Sequence, residues 1–197
     1  EEVHLMAIKA TEMAKNFGLY VIFSPYDTTR SNLPFLLKLL VDLTERKLID
    51  RVRLVDTVGC AIPSTIRFLV RAMKTAIKEI PIEIHVHDDF GLSLANTVEA
   101  VVSGCEFVSR TMNGLGSRCG NAATEEVALT LEALYKVSTG LNLEYIHETA
   151  LLVEKLSGVP ISPHKSIIGA NAFAHETGIT VSGIVNNPYT AEAYNLG

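Results

Sequence analysis

IEIHVHDDFG, residues 82–91, alternates apolar and polar residues and then stops. Ile82, Ile84 and Val86 fall on one side of an extended chain and Glu83, His85 and His87 on the other, because strand side chains alternate with period two. Asp88, Asp89 and Gly91 follow at once. A strand that ends on two imidazoles, with two carboxylates just beyond, carries chemistry at its C-terminal tip. That placement separates the candidate folds.

LYVIFS (19–24) and RVRLVDTVG (51–59) read as strands upstream, the first as a short apolar run of the kind buried on both faces. CEFVSRT (105–111) reads as a fourth strand downstream. Amphipathic helices separate them. Residues 2–17 space Val3, Met6, Ala7, Ala10, Met13, Ala14 and Phe17 at three and four, with Gly18 as the stop. Ser31 is the expected N-cap of a helix through LPFLLKLLVDLTERK, and Ser64 of one reaching Lys78. Further helices are expected from Leu92 to Val102 and over AATEEVALTLEALYKV (122–137).

The order is one helix and then βα four times, which implies parallel strands joined by crossovers on one side. An open doubly wound sheet gathers its site at one switch point, whereas a barrel draws on the ends of many strands. Here polar residues close all four strands: Ser24-Pro25-Tyr26-Asp27, Asp56-Thr57, His85 to Asp89, and Arg110-Thr111-Met112-Asn113. The expected fold is therefore α/β, a (β/α)8 TIM barrel of which only the second half, four βα units, is present; a whole barrel takes about 250 residues. Residues 1–138 are expected to form this half of a catalytic barrel. Residues 139–197 are expected to add a helix over 143–156, capped by Asn142 and ended by Gly158. A short-helical or irregular linker or lid follows, broken by Pro160, Pro163, Gly169, Gly178, Gly183 and Pro188.

The 197 residues are 48% hydrophobic and 20% charged, with a net charge of −5 and no basic block. Nucleic acid and membranes are thus not expected as partners. The three cysteines, Cys60, Cys105 and Cys119, are widely spaced without a CxxC, which fits a reduced compartment and not a disulfide framework. No apolar run approaches the ~18 residues of a membrane span, and the charged start EEVHLMAIKATEMAK is no signal peptide. The expected location is the cytoplasm.

His85 and His87 share a strand face, so two neutral imidazoles can reach one divalent ion, with a carboxylate from elsewhere completing the set. The alternative is a pair of polar interior histidines satisfied by hydrogen bonds. Asp88 and Asp89 can orient such ligands or simply begin the next helix. NGLGSRCGN (113–121) misses a dinucleotide fingerprint by its spacing and is either an anion cradle or a turn that needs positive φ. DTVG (56–59) and YDTTR (26–30) are weak alone; Asp27 and Arg30 can pair with each other.

Together these stretches carry a resemblance. HVHDDFGLSLANTVEAVVSGCEFVSRTMNGLGSRCGNAATEEV, with FSPYDTTRS, LVDTVG and GANAFAHETGI in order around it, resembles the metal-dependent acyl-CoA barrel enzymes. These include the 2-isopropylmalate, homocitrate and citramalate synthases of amino-acid biosynthesis, with HMG-CoA lyase a more distant relative. The resemblance covers the second half of that barrel and the segment after it. It implies that His85, His87 and Asn121 bind a divalent metal (Mg²⁺, Mn²⁺ or Zn²⁺) and that Thr57 contacts a 2-oxo acid. It implies substrate contacts also from Arg30, Asn113, Gly114, Gly116 and Arg118, and catalytic parts for Tyr26, Asp27, Thr57 and His175. The reaction implied is a Claisen-type condensation of acetyl-CoA with the 2-oxo acid, giving a 2-hydroxy acid and CoA. The implied partners are these small molecules, the N-terminal half-barrel from the same gene or a separate subunit, and a second copy in a homodimer.

The sequence departs from the synthases at three places. Tyr26 stands for their Glu, Thr180 for the His after the GI of the appendix, and Ser117 for the Glu of their glycine loop. The resemblance assigns the first two to the machinery that moves the methyl proton of acetyl-CoA, and Tyr26, His175 and Tyr189 are the groups available to substitute. Two alternatives follow: a carbon–carbon lyase like HMG-CoA lyase, for which Cys119 speaks, and a non-catalytic 2-oxo acid-binding relative.

Overall fold

The chain was studied as a computed structural model, which describes residues 1–191 and Tyr194. It divides into two compact units, Glu1–Ala123 and Thr124–Gly197.

The first unit holds one four-stranded sheet of β1 (Ile22–Phe23), β2 (Arg51–Asp56), β3 (Ile82–Val86) and β4 (Phe107–Ser109), parallel throughout and in chain order. Helices α1 (Glu2–Asn16), α2 (Leu33–Glu45), α3 (Pro63–Ile77) and α4 (Ser93–Val102) lie before and between the strands. The register decides the two faces. Val52 pairs with Ile82 and Leu54 with Ile84, and all four are fully buried. On the other face Arg53 pairs with Glu83, Val55 with His85, and His85 with Ser109. One face is therefore core and the other is charged and polar. The core closes against Leu36, Leu39, Leu40 and Leu43 of α2 and Ile66, Leu69, Val70 and Met73 of α3, each on one helical stripe.

Several ends differ from the sequence expectation. β1 is two residues long and, of its neighbourhood, only Val21 is buried, while Leu19, Tyr20 and Ile22 are exposed. Among the described residues it lies at one end of the four-stranded sheet, so the burial on both faces expected from LYVIFS is not seen here. Asn32, not Ser31, caps α2, its side chain accepting from Phe35 N–H at 3.0 Å; the Ser31 hydroxyl donates backwards to Thr28 O. Ser64 does not cap α3: Pro63 occupies the first turn, where its missing N–H costs nothing, and Ile62 precedes it. The fourth strand shortens to three residues. Gly18 does end α1, at φ +73.

In the second unit, α5 covers Thr124–Ala133, shorter than 122–137. Asn142 caps a 3-10 turn, Leu143–Tyr145, and α6 (Ile146–Ser157) ends at Gly158 with φ +70. The segment after it is irregular as far as α7 (Gly178–Asn186). Lys165 pairs with Glu126 at 2.7 Å, and Ile168 and Ala150 are buried within this unit.

Candidate functional site

β3 delivers His85 and His87 to the polar face at the C-terminal end of the sheet. Their rings lie 5.1 Å apart, nearly perpendicular at 85°. His85 Nδ1 is 3.0 Å from Ser109 Oγ, its register partner on β4. Its other nitrogen, Nε2, is 3.5 Å from Asn121 Nδ2, and His87 Nδ1 lies 3.5 Å from the same amide nitrogen. Two ring nitrogens from different imidazoles thus converge on one point. Burial, reinforced by the neighbouring His87 and Arg53, lowers the His85 pKa and keeps the ring neutral. A neutral ring that gives Nδ1–H to Ser109 keeps its Nε2 lone pair for a cation.

Asn121 is buried and anchored. Its Nδ2 donates to Val86 O at 3.1 Å, and its backbone N–H donates to Gly114 O at 3.0 Å. Oδ1 packs where Gly116 has no side chain; a Cβ there would overlap it. The amide must turn over before its oxygen can face the rings. Gly120, at φ +93, has Gly114 O in the space of a Cβ, so the loop between β4 and α5 folds onto itself. This explains Gly120 by close backbone approach and Gly116 by the Asn121 side chain against it, while Gly114 sits at φ +70. Asn113 and Gly114 form a tight 3-10 turn with Met112, Asn113 at φ 60.

The loops after β1 and β2 are stitched together. Asp27, in the left-handed region at φ 58, donates its N–H to Thr57 Oγ1 at 2.9 Å. Its carboxylate takes a bidentate grip from Arg30, at 2.7 and 3.0 Å among its contacts. Arg30 is therefore committed to Asp27. Asp56, fully buried, accepts from Thr29 Oγ1 at 2.9 Å and from Ala61 N–H at 3.1 Å. Tyr26 stands 83% exposed. Arg118 is bound to Asp89 through Nε and Nη2 at 2.7 and 2.9 Å, and Nη2 also donates to Thr57 O at 2.8 Å. The Arg118 guanidinium holds the Asp89 carboxyl below the usual range. Asp88 Oδ1 accepts from Ser93 N–H at 2.9 Å and so starts α4.

The structure brings together His85, His87 and Asn121, and separately Asp27, Arg30, Thr57 and Arg118. His175, with Thr180 and Tyr189, belongs to the second unit. Among the described residues no group of three or more His, Cys, Asp or Glu gathers to hold a metal. The donors present are two imidazole nitrogens and, after rotation, one amide oxygen, which fit part of a divalent site. Sequence reasoning passed over Ser109, and it named Asp89 as a carboxylate to orient the imidazoles or begin the helix, where the structure pairs it with Arg118. Register was the missing signal for the first; the second was visible only as one of two adjacent aspartates.

Residues 1–153 match the HMGL-like family. The chain belongs to that family. Homocitrate synthase AksA of Methanocaldococcus jannaschii is 40% identical over 194 residues, covering 98% of this chain and 48% of its own. 2-isopropylmalate synthase 2 of Caldanaerobacter subterraneus subsp. tengcongensis is 41% identical over 187 residues, covering 95% and 48%. This HMGL-like chain is thus homologous to acyltransferase-type synthases and spans about half the length of the curated relatives it matches. Among solved structures, the HMG-CoA lyase of Bacillus subtilis superposes with a TM-score of 0.66 at 26% identity, over 78% of this chain and 55% of that one. No helix among the described residues is long and apolar enough to cross a membrane.

Proposed function

We propose that the chain is the second half of a (β/α)8 barrel in a cytoplasmic, divalent-metal-dependent acyltransferase. Its reaction is the condensation of acetyl-CoA with a 2-oxo acid to a 2-hydroxy acid and CoA. The observation that carries this reading is the convergence of His85 Nε2 and His87 Nδ1 beside Asn121 at a strand end, in a chain about 40% identical to such synthases. His85 and His87 hold the ion, Asn121 joins them once its amide turns, and the remaining ligand comes from the other half of the barrel. A bound dication supplies Lewis-acid polarisation of the 2-oxo carbonyl. The Thr57 hydroxyl, fixed by its hydrogen bond from Asp27 N–H, offers an orienting contact to the oxo acid. Tyr26, which stands in the place of the synthases' Glu and is exposed, takes over proton handling.

The test has two arms. Crystals soaked in Mn²⁺ are expected to show an anomalous peak between the rings of His85 and His87. The full-length enzyme, given acetyl-CoA, Mn²⁺ and a panel of 2-oxo acids, is expected to release free thiol with at least one of them. A missing peak removes the metal site, and a peak without any thiol release leaves an oxo acid-binding relative.

A second reading, a carbon–carbon lyase, draws on the exposure of Cys119 in the loop after β4 and on the structural likeness to HMG-CoA lyase. Cleavage of a 3-hydroxy thioester that is lost in Cys119→Ser supports it; cleavage that persists in that variant removes its main support.

A further inference from the structure

Arg118 has no freedom left for a substrate as it stands. Its fork spans both Asp89 oxygens and the Thr57 carbonyl, a planar arrangement that an ammonium cannot reproduce. The residue sits at φ +59, a backbone region that side-chain-bearing residues occupy when their surroundings hold them there. Nearby, Gly59, at φ +61, has His87 O, Asp89 N and Asp89 Oδ2 all within 2.9 Å of where a Cβ would be. The loop after β2 therefore rests directly on the loop after β3. Asp88 N–H donates to Gly120 O at 3.1 Å, which brings in the loop after β4. Three strand-end loops meet at one ion pair.

We propose that Arg118 and Asp89 are a positioning pair. They lock the loop carrying Asn121 onto the strand ends carrying Thr57 and His87, so that the amide keeps its place beside the two rings. The functional meaning rests on the proposed metal site, but the mechanical claim does not. The pair is partly solvated, with Arg118 45% and Asp89 22% exposed. Such pairs add little to global stability, so the effect belongs to the loops and not to the sheet.

Hydrogen exchange on the full-length protein, the same protein as in the activity test, probes this without any metal. In Arg118→Met and in Asp89→Asn, the amides of Asp88, Gly120 and Asn121 are expected to exchange about tenfold faster or more. The amides of Leu54 and Ile84 inside the β2–β3 ladder should keep their rates. Arg118→Lys should behave like Arg118→Met, and the double variant should be no faster than either single one, because both remove the same interaction. Unchanged loop amides overturn the proposal. So does equal acceleration in the ladder, which would make the pair a support of the whole fold, and so does full rescue by lysine.

Mn²⁺ titration of the same samples separates this inference from the proposed function. Wild type is expected to bind about 10- to 100-fold more tightly than Arg118→Met, and equal affinity overturns the link from pair to site. A wild type that binds no Mn²⁺, with the exchange pattern intact, sinks the metal reading and leaves the pair standing.

Discussion

His85 has work for both ring nitrogens: Nδ1 meets Ser109 Oγ, and Nε2 faces the Asn121 amide. A strand position gives it that geometry, since the residue opposite it on β4 is Ser109 by register. Cys105 shows the opposite use of burial. Desolvation, aided by Glu106 and only partly opposed by Lys74, pushes its pKa up to about 12 from 9.0. A folded pKa above the unfolded value means the neutral thiol favours the fold. That contribution is complete below pH 9.0 and is lost as the pH rises towards about 12. Cys105→Ala is therefore expected to lose less of its own stability than wild type over that window, read as urea midpoints against pH. Native thiol titration at pH 8 should count Cys60 and Cys119 quickly, both exposed, and Cys105 only in denaturant.

At the scale of the element, each unit of the sheet depends on how its helix starts and how its strand is covered. α2 begins where Asn32 accepts from Phe35 N–H, and Asn32→Ala should cost about 1 kcal/mol; Ser31→Ala, outside the cap, should cost less. Equal losses in thermal or urea unfolding would show that the cap is misassigned. Ile84, fully buried in β3 with Leu54 beside it, has no room to be truncated quietly. Ile84→Ala should destabilise by about 2–5 kcal/mol, with His85 on the same strand disturbed by any collapse. The sequence marked Ile84 through its alternating strand and placed the cap of α2 at Ser31, because a polar cap residue and an alternating strand are local signals. It chose the wrong neighbour for the cap, since Ser31 and Asn32 are equally good acceptors and only the path of the chain from the Thr28–Arg30 turn separates them.

For the whole molecule the deciding feature is exposed apolar and unpaired surface. β1 pairs only with β2 and β4 only with β3 among the strands of the described residues. α1 leaves Val3, Leu5, Met6, Met13 and Phe17 exposed, each above half of its surface. Open edges and such a face invite another chain. The 197-residue chain is expected to self-associate or to pair with a barrel half, visible in light scattering; a monodisperse monomer at micromolar concentration would contradict this. The polar sheet face adds a charge argument. Glu83, nearly buried, is shared by Arg51 and Arg53 at 3.1 and 2.8 Å, so this face carries surplus positive charge that a covering partner must accept.

By itself the sequence determined the parallel βα order, the helix-facing stripes, the strand that carries two imidazoles and the family. All of these follow from short-range periodicity and from motifs a few residues long. The Asp27–Arg30 pair, three residues apart, was also among the readings the sequence offered. Only the tertiary structure decided that Arg118 holds Asp89 and that Ser109 takes one nitrogen of His85. Those partners lie 29 residues away for the arginine and 24 for the histidine. Which of several chemically equivalent partners a side chain meets depends on strand register and loop closure, and no local pattern in the chain encodes either.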